Sequence, residues 1–107
     1  MNDQTTSTLN GKDASIQSLA GSLQNGTMVR VVIDLAENHG NPDLELELID
    51  SDDRVVSHST IMGAMDQHIE FTLHIRLPNA RFPVRLTCSS IFNESVCDSK
   101  SIEISAY

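Results

Sequence analysis

Tryptophan is absent from this chain of 107 residues, tyrosine occurs once and phenylalanine three times. Any core it builds must rest on Val, Ile and Leu, helped by Phe71, Phe82 and Phe92. A row of exposed aromatic rings, a common platform for stacking on a ligand, is beyond such a supply. Basic residues are scarce as well: seven Lys and Arg stand against fifteen Asp and Glu, for a net charge of −8. A nucleic-acid binder needs a basic stripe to displace counterions from phosphates, and none exists here. An anionic membrane surface would repel the same field. Charge of this sign supplies solubility first, with attraction to a cationic partner as the sharper alternative.

Two further absences narrow location and chemistry. No segment approaches the ~20 consecutive apolar residues that span a bilayer. The opening residues, MNDQTTSTLNGKD, lack a basic start followed by an apolar run, so no export signal is read and a cytoplasmic location is expected. A glycine-rich phosphate loop, a nucleophile elbow and a His-Glu-x-x-His stretch are all missing. Cysteine appears twice, as Cys88 and Cys97, with no CxxC partner to suggest a zinc site.

What the chain has in abundance is alternation. Ile69, Phe71, Leu73, Ile75 and Leu77 alternate with Glu70, Thr72, His74 and Arg76, which sets one row of side chains on a core and the other in water. The same pattern predicts strands over Met28–Leu35, Leu44–Ile49, Arg54–Ile61, Pro83–Ser90 and Ser101–Tyr107, the last with Ile102, Ile104 and Ala106 inward. Residues 15–24 fit a short, irregular first strand that ends at the Asn25-Gly26 turn signal. Asp50-Ser51-Asp52-Asp53 reads as a tight turn whose side chains bond nearby backbone N–H groups. Residues 1–14 are polar and read as a disordered lead-in, leaving residues 15–107 as a single domain. About seven short strands separated by turns predict an all-β fold: an antiparallel two-sheet sandwich with Greek-key links.

The order of these features resembles an immunoglobulin or fibronectin type III sandwich. Leu23-Gln24-Asn25-Gly26-Thr27-Met28-Val29-Arg30-Val31 is similar to the turn into the second strand of such domains. Phe71-Thr72-Leu73-His74-Ile75 through Val84-Arg85-Leu86-Thr87-Cys88 is similar to their fifth and sixth strands. The departures from true immunoglobulin domains are a missing core Trp, a missing second-strand Cys to pair with Cys88, and Leu86 where a tyrosine would stand. The resemblance implies an architecture, and a superfold carries no function of its own.

Several residues are candidates for chemistry. Cys88 and Cys97 flank a segment that would turn at Phe92-Asn93 and bring them opposite, which makes a cross-strand disulfide feasible. Two reduced thiols are the preferred reading without an export signal. Of the four histidines (His39, His58, His68 and His74), His68 and His74 share a strand face with Glu70, and the resemblance implies that Arg30 or Asp34 lies beside them, if the second and fifth strands pair as in such sandwiches. A metal needs three or four converging ligands, so a solvated polar face is the plainer reading. Asp43, Glu45, Glu47, Asp50, Asp52 and Asp53 cluster as calcium ligands do, yet a charged hairpin accounts for all six. Asn25-Gly26-Thr27 and Asn93-Glu94-Ser95 match the N-glycosylation pattern, which predicts nothing without export. Met62 and Met65 offer flexible apolar surface for a partner, although plugging one end of the core is the reading preferred for them.

The function best supported by sequence is a small non-catalytic protein-binding or scaffolding module, with no cofactor, a monomer, and another protein as its partner. The outer strand near Tyr107 is one edge on which a second copy or a partner would pair. The alternative is a calcium- or zinc-binding domain, or an enzyme accessory domain, using Asp50, Asp52 and Asp53 or the face of His68, Glu70 and His74.

Overall fold

The computed structural model describes residues 15–37 and 40–106. Within them the chain forms seven strands: β1 (Ile16–Gln24), β2 (Met28–Leu35), β3 (Asp43–Ile49), β4 (Val55–Ile61), β5 (His68–His74), β6 (Val84–Phe92) and β7 (Ser95–Ile104). They lie in two sheets, ordered β1–β2–β5 and β4–β3–β6–β7, and every neighbouring pair is antiparallel. This is the antiparallel two-sheet sandwich that the alternation predicts, with the immunoglobulin-like architecture that the resemblance implies. The lead-in expected over residues 1–14, as well as His39 and Tyr107, lies outside the described residues. No helix among the described residues is long and apolar enough to cross a membrane.

The inner faces follow from period two. Val29, Val31, Ile33 and Leu35 of β2, Leu44, Leu46 and Leu48 of β3, and Val84, Leu86 and Cys88 of β6 are all 0% exposed. At about 1.5–3 kcal/mol for each large aliphatic side chain removed from water, these three central strands carry most of the core. β1 lies over the β6–β7 side of the other sheet. A Cβ on Gly21 would stand 2.8 Å from Ile104 Cδ1 and 3.2 Å from Leu86 Cδ2, so glycine is what lets the layers approach there. Asp98 of β7 accepts a hydrogen bond from the Ile16 backbone N–H at 2.8 Å, tying the same two edges together. Asn25 and Gly26 hold φ of 54° and 72° in the β1–β2 turn, the left-handed backbone that this pair of residues favours.

Three expectations are corrected. β5 ends at His74, not Leu77: Ile75 N–H still bonds in register to Thr27 O at the β1–β2 turn, but the next amide, Arg76 N–H, crosses to Val56 O of β4 in the other sheet. Leu77 is thereby turned outward. The last strand starts at Ser95 rather than Ser101 and ends at Ile104, which leaves Ala106 exposed beyond it. The methionines do not plug the core. Met62 and Met65 are 74% and 78% exposed, while Ala64 between them is buried; its N–H donates to Pro42 O, and the neighbouring Gly63 N–H to Asp43 Oδ1.

Candidate functional site

The outer face of β2 and β5 carries the densest set of ionisable side chains suggested by the sequence. The register sets Asp34 opposite His68 and Val32 opposite Glu70, with Arg30 one pair further along opposite Thr72. Because directly opposed residues point to the same side, Asp34, His68, Glu70 and Arg30 share one exposed surface. His68 Nδ1 lies 2.6 Å from Asp34 Oδ1, and His68 Nε2 lies 2.7 Å from Glu70 Oε2. Arg30 completes the row with an ion pair to Glu70. Ser18 of β1 donates its hydroxyl to Asp34 Oδ2 at 2.8 Å, so the network crosses all three strands.

Two carboxylates facing both ring nitrogens require both to donate, which the imidazolium form does. The His68 pKa is accordingly raised, by its hydrogen bond to Glu70 and then by that to Asp34. The Glu70 carboxyl is lowered, first by His68 and then by Arg30. Asp34 is lowered by the bonds from His68 and Ser18. An imidazolium with both N–H groups engaged has no lone pair for a metal or a nucleophile's proton. His74 does not join the group, since it opposes Met28 with the Arg30–Thr72 pair between.

The acidic hairpin is built around one residue. Asp50 is 3% exposed. Its Oδ1 accepts the backbone N–H groups of Asp52 at 2.9 Å and Arg54 at 3.0 Å. Its Oδ2 accepts Arg54 Nη2 at 2.7 Å, Arg54 Nε at 3.0 Å and the Arg81 backbone N–H at 3.2 Å. Burial pushes the carboxyl up, but these bonds outweigh it and hold Asp50 well below the usual carboxylate range. The expected turn motif is present, and its reach to Arg81 was not readable from local spacing. Asp52 faces Arg81 Nε at 3.7 Å, and Asp53 holds the positive φ of the turn. Among the described residues, no group of three or more His, Cys, Asp or Glu is placed to hold a metal ion.

The cysteine geometry is also corrected. The β6–β7 turn falls on Asn93 and Glu94, and an irregularity between Ser90 and Ile91 shifts the register so that Cys88 opposes Lys100. Cys97 sits at that irregularity, and the two thiols are free. Burial, and then the charge of Asp98, push the Cys88 thiol up to about 12, so it stays protonated and inert. An open cleft of about 440 Å³ lies at the far end of β5, among Thr27, Ile75, Arg76, Leu77, Pro78 and Phe82. Arg76 is the one ionisable side chain in its lining.

No protein-family model and no curated protein matches the chain. Solved structures do. A glycosyl hydrolase family 2 member from Bacteroides cellulosilyticus is similar with a TM-score of 0.62 and 14% identity, over 88% of this chain and 15% of that one. The β-glucuronidase from Ruminococcus gnavus in complex with D-glucuronic acid gives a TM-score of 0.57 and 13% identity, over 85% and 16%. The likeness is one of fold. This chain spans about one-sixth of the length of those proteins.

Proposed function

We propose that this chain is a non-catalytic binding or scaffolding β-sandwich that works in the cytoplasm by contact with another protein. The observation that carries the reading is how the charged groups are spent. Asp34, His68, Glu70 and Arg30 neutralise one another on an exposed sheet face, and Asp50 is consumed in closing a turn. A catalytic acid or base needs a cleft that shifts its pKa toward the working pH. The cleft at the end of β5 offers one guanidinium among uncharged side chains instead. A second reading, an accessory domain of a larger enzyme, is favoured by the short share of the family 2 glycosyl hydrolase chains that it matches.

The test is a thermal-unfolding series with EDTA, Ca²⁺ or Zn²⁺, run beside a turnover assay on chromogenic aryl glycosides. A ligand that binds the folded state raises the midpoint by mass action. An unchanged midpoint and no turnover above buffer are expected. A rise with either metal, or hydrolysis lost in the Glu70→Gln variant, would overturn the reading.

A further inference from the structure

Beyond His74 the chain leaves β5 on a backbone held from both sheets, with Ile75 N–H bonded to Thr27 O and Arg76 N–H to Val56 O. Arg76 thus stands on an anchored ridge with a cleft on either side. One is the cleft of about 440 Å³ already described. The other, of about 300 Å³, lies among Val55, Val56, Ser57, His58, Arg76 and Leu77. Arg76 and Leu77 line both, and no Asp or Glu lines either. Val55 and Leu77 are large apolar side chains left exposed beside the guanidinium. Arg30, Arg54 and Arg81 each face a carboxylate, whereas Arg76 faces none among the described residues. In a chain with fifteen acidic residues to seven basic ones, that leaves an unneutralised cation on an apolar ridge.

We propose that this ridge docks the C-terminal residue of a partner protein, its apolar side chain lying against Ile75, Leu77, Pro78 and Phe82 and its α-carboxylate pairing with the Arg76 guanidinium. Charge complementarity selects the occupant. A guanidinium fork meets a carboxylate through two parallel N–H···O bonds. The net charge of −8 turns anions away from most of the surface, so a carboxylate is accepted where a guanidinium stands unneutralised and no acid lines the cleft. Cation and apolar wall belong to adjacent residues, Arg76 and Leu77, so the groups they recognise must lie equally close together. A chain terminus carries carboxylate and side chain on one Cα. An internal Asp or Glu uses its side chain for the charge and leaves the apolar wall to other residues. Clefts this open cover too little of a small molecule to hold it well, while a peptide can extend over Leu77 from the first cleft into the second. The inference deepens the binding-module reading, on which it rests, by naming the chemistry of the partner.

The probe is a short N-acetylated peptide of Gly and Ser ending in Leu with a free carboxylate, titrated into isotope-labelled protein and followed by NMR. Shifts are expected to centre on the amides of Thr27, Ile75, Arg76, Leu77 and Phe82. Ending the same peptide as its carboxamide is expected to weaken binding about 10-fold or more, the scale of a hydrogen bond to a charged group. Arg76→Gln should weaken the free acid equally and leave the carboxamide unchanged, as a double-mutant cycle requires of a direct pair. That substitution alters an exposed side chain and keeps the backbone amide, and its own spectrum reports that it folds. Ending the peptide in Gly should also weaken binding. The proposal is overturned by an absence of shifts at millimolar peptide, by shifts centred elsewhere, or by equal binding of acid and carboxamide or of the Leu and Gly endings. A carboxamide peptide with an internal Glu that binds as tightly as the free acid overturns it too, and assigns the ridge to acidic side chains. None of these outcomes disturbs the module reading, which fails on metal binding or turnover instead.

Discussion

Gly21 is the residue at which a single methyl group changes the distance between the two sheets. Its missing Cβ is matched by the terminal methyls of Ile104 and Leu86, both buried and with little room to retreat. Forcing branched bulk into a closed core costs about 1–3 kcal/mol, more than the backbone entropy that replacing a strand glycine recovers. Gly21→Val is therefore expected to lower stability by about 1–3 kcal/mol in urea unfolding, and an unchanged midpoint would mean the layers do not meet there. The cysteines separate in the same way. Cys88 is fully buried with a raised pKa, and Cys97 is partly exposed. Iodoacetamide on the native protein should label Cys97 and spare Cys88, as peptide mass spectrometry will report, with both labelled after unfolding.

At the scale of strands, the network on β2 and β5 gives their pairing a pH dependence. His68 gains partners on folding, so its pKa lies above the ordinary 6.5. Its contribution is complete below that value and is lost as pH rises through the raised one. Asp34 and Glu70 are lowered from 3.8 and 4.5, so their contributions are complete above those values and are lost as pH falls through the lowered ones. All three groups hold their bonded charge states between pH 4.5 and 6.5. The wild-type melting temperature is expected to exceed that of His68→Gln across this window, and the gap to close as pH climbs past it. A gap that persists at high pH would show that His68 acts by packing and not by charge. Much of this was legible in the sequence. Alternation placed β2, β3, β5 and β6 and put His68 and Glu70 on one face, because period two is a property of each strand alone; Asp34 and Arg30 as their neighbours came from the resemblance to the immunoglobulin and fibronectin sandwich, in which the second and fifth strands pair. Ser18, the shift that parts Cys88 from Cys97, and the outward turn at Leu77 were not legible. Each is decided by residues distant in sequence: the partner strand of β1, an irregularity between Ser90 and Ile91, and an acceptor carbonyl on Val56.

For the whole molecule, stability should grade from the middle of each sheet to its margins. β2 sits between β1 and β5, and β3 and β6 lie inside the four-stranded sheet, so their amides open only with the global transition. Hydrogen exchange is expected to be slowest in Val29–Leu35, Leu44–Leu48 and Val84–Ser90 and fastest along β4; equal protection of β4 would contradict the ordering. The Asp50 carboxylate adds a constraint of another kind. It meets backbone N–H groups of Asp52, Arg54 and Arg81 at once, while Arg54 also reaches Asn79 O and Ser51 reaches Arg81 O and Pro83 O. The β3–β4 turn and the β5–β6 connection are thus measured against each other by one side chain. Neither can gain or lose a residue alone, so insertions and deletions at this end of the sandwich must come as matched pairs.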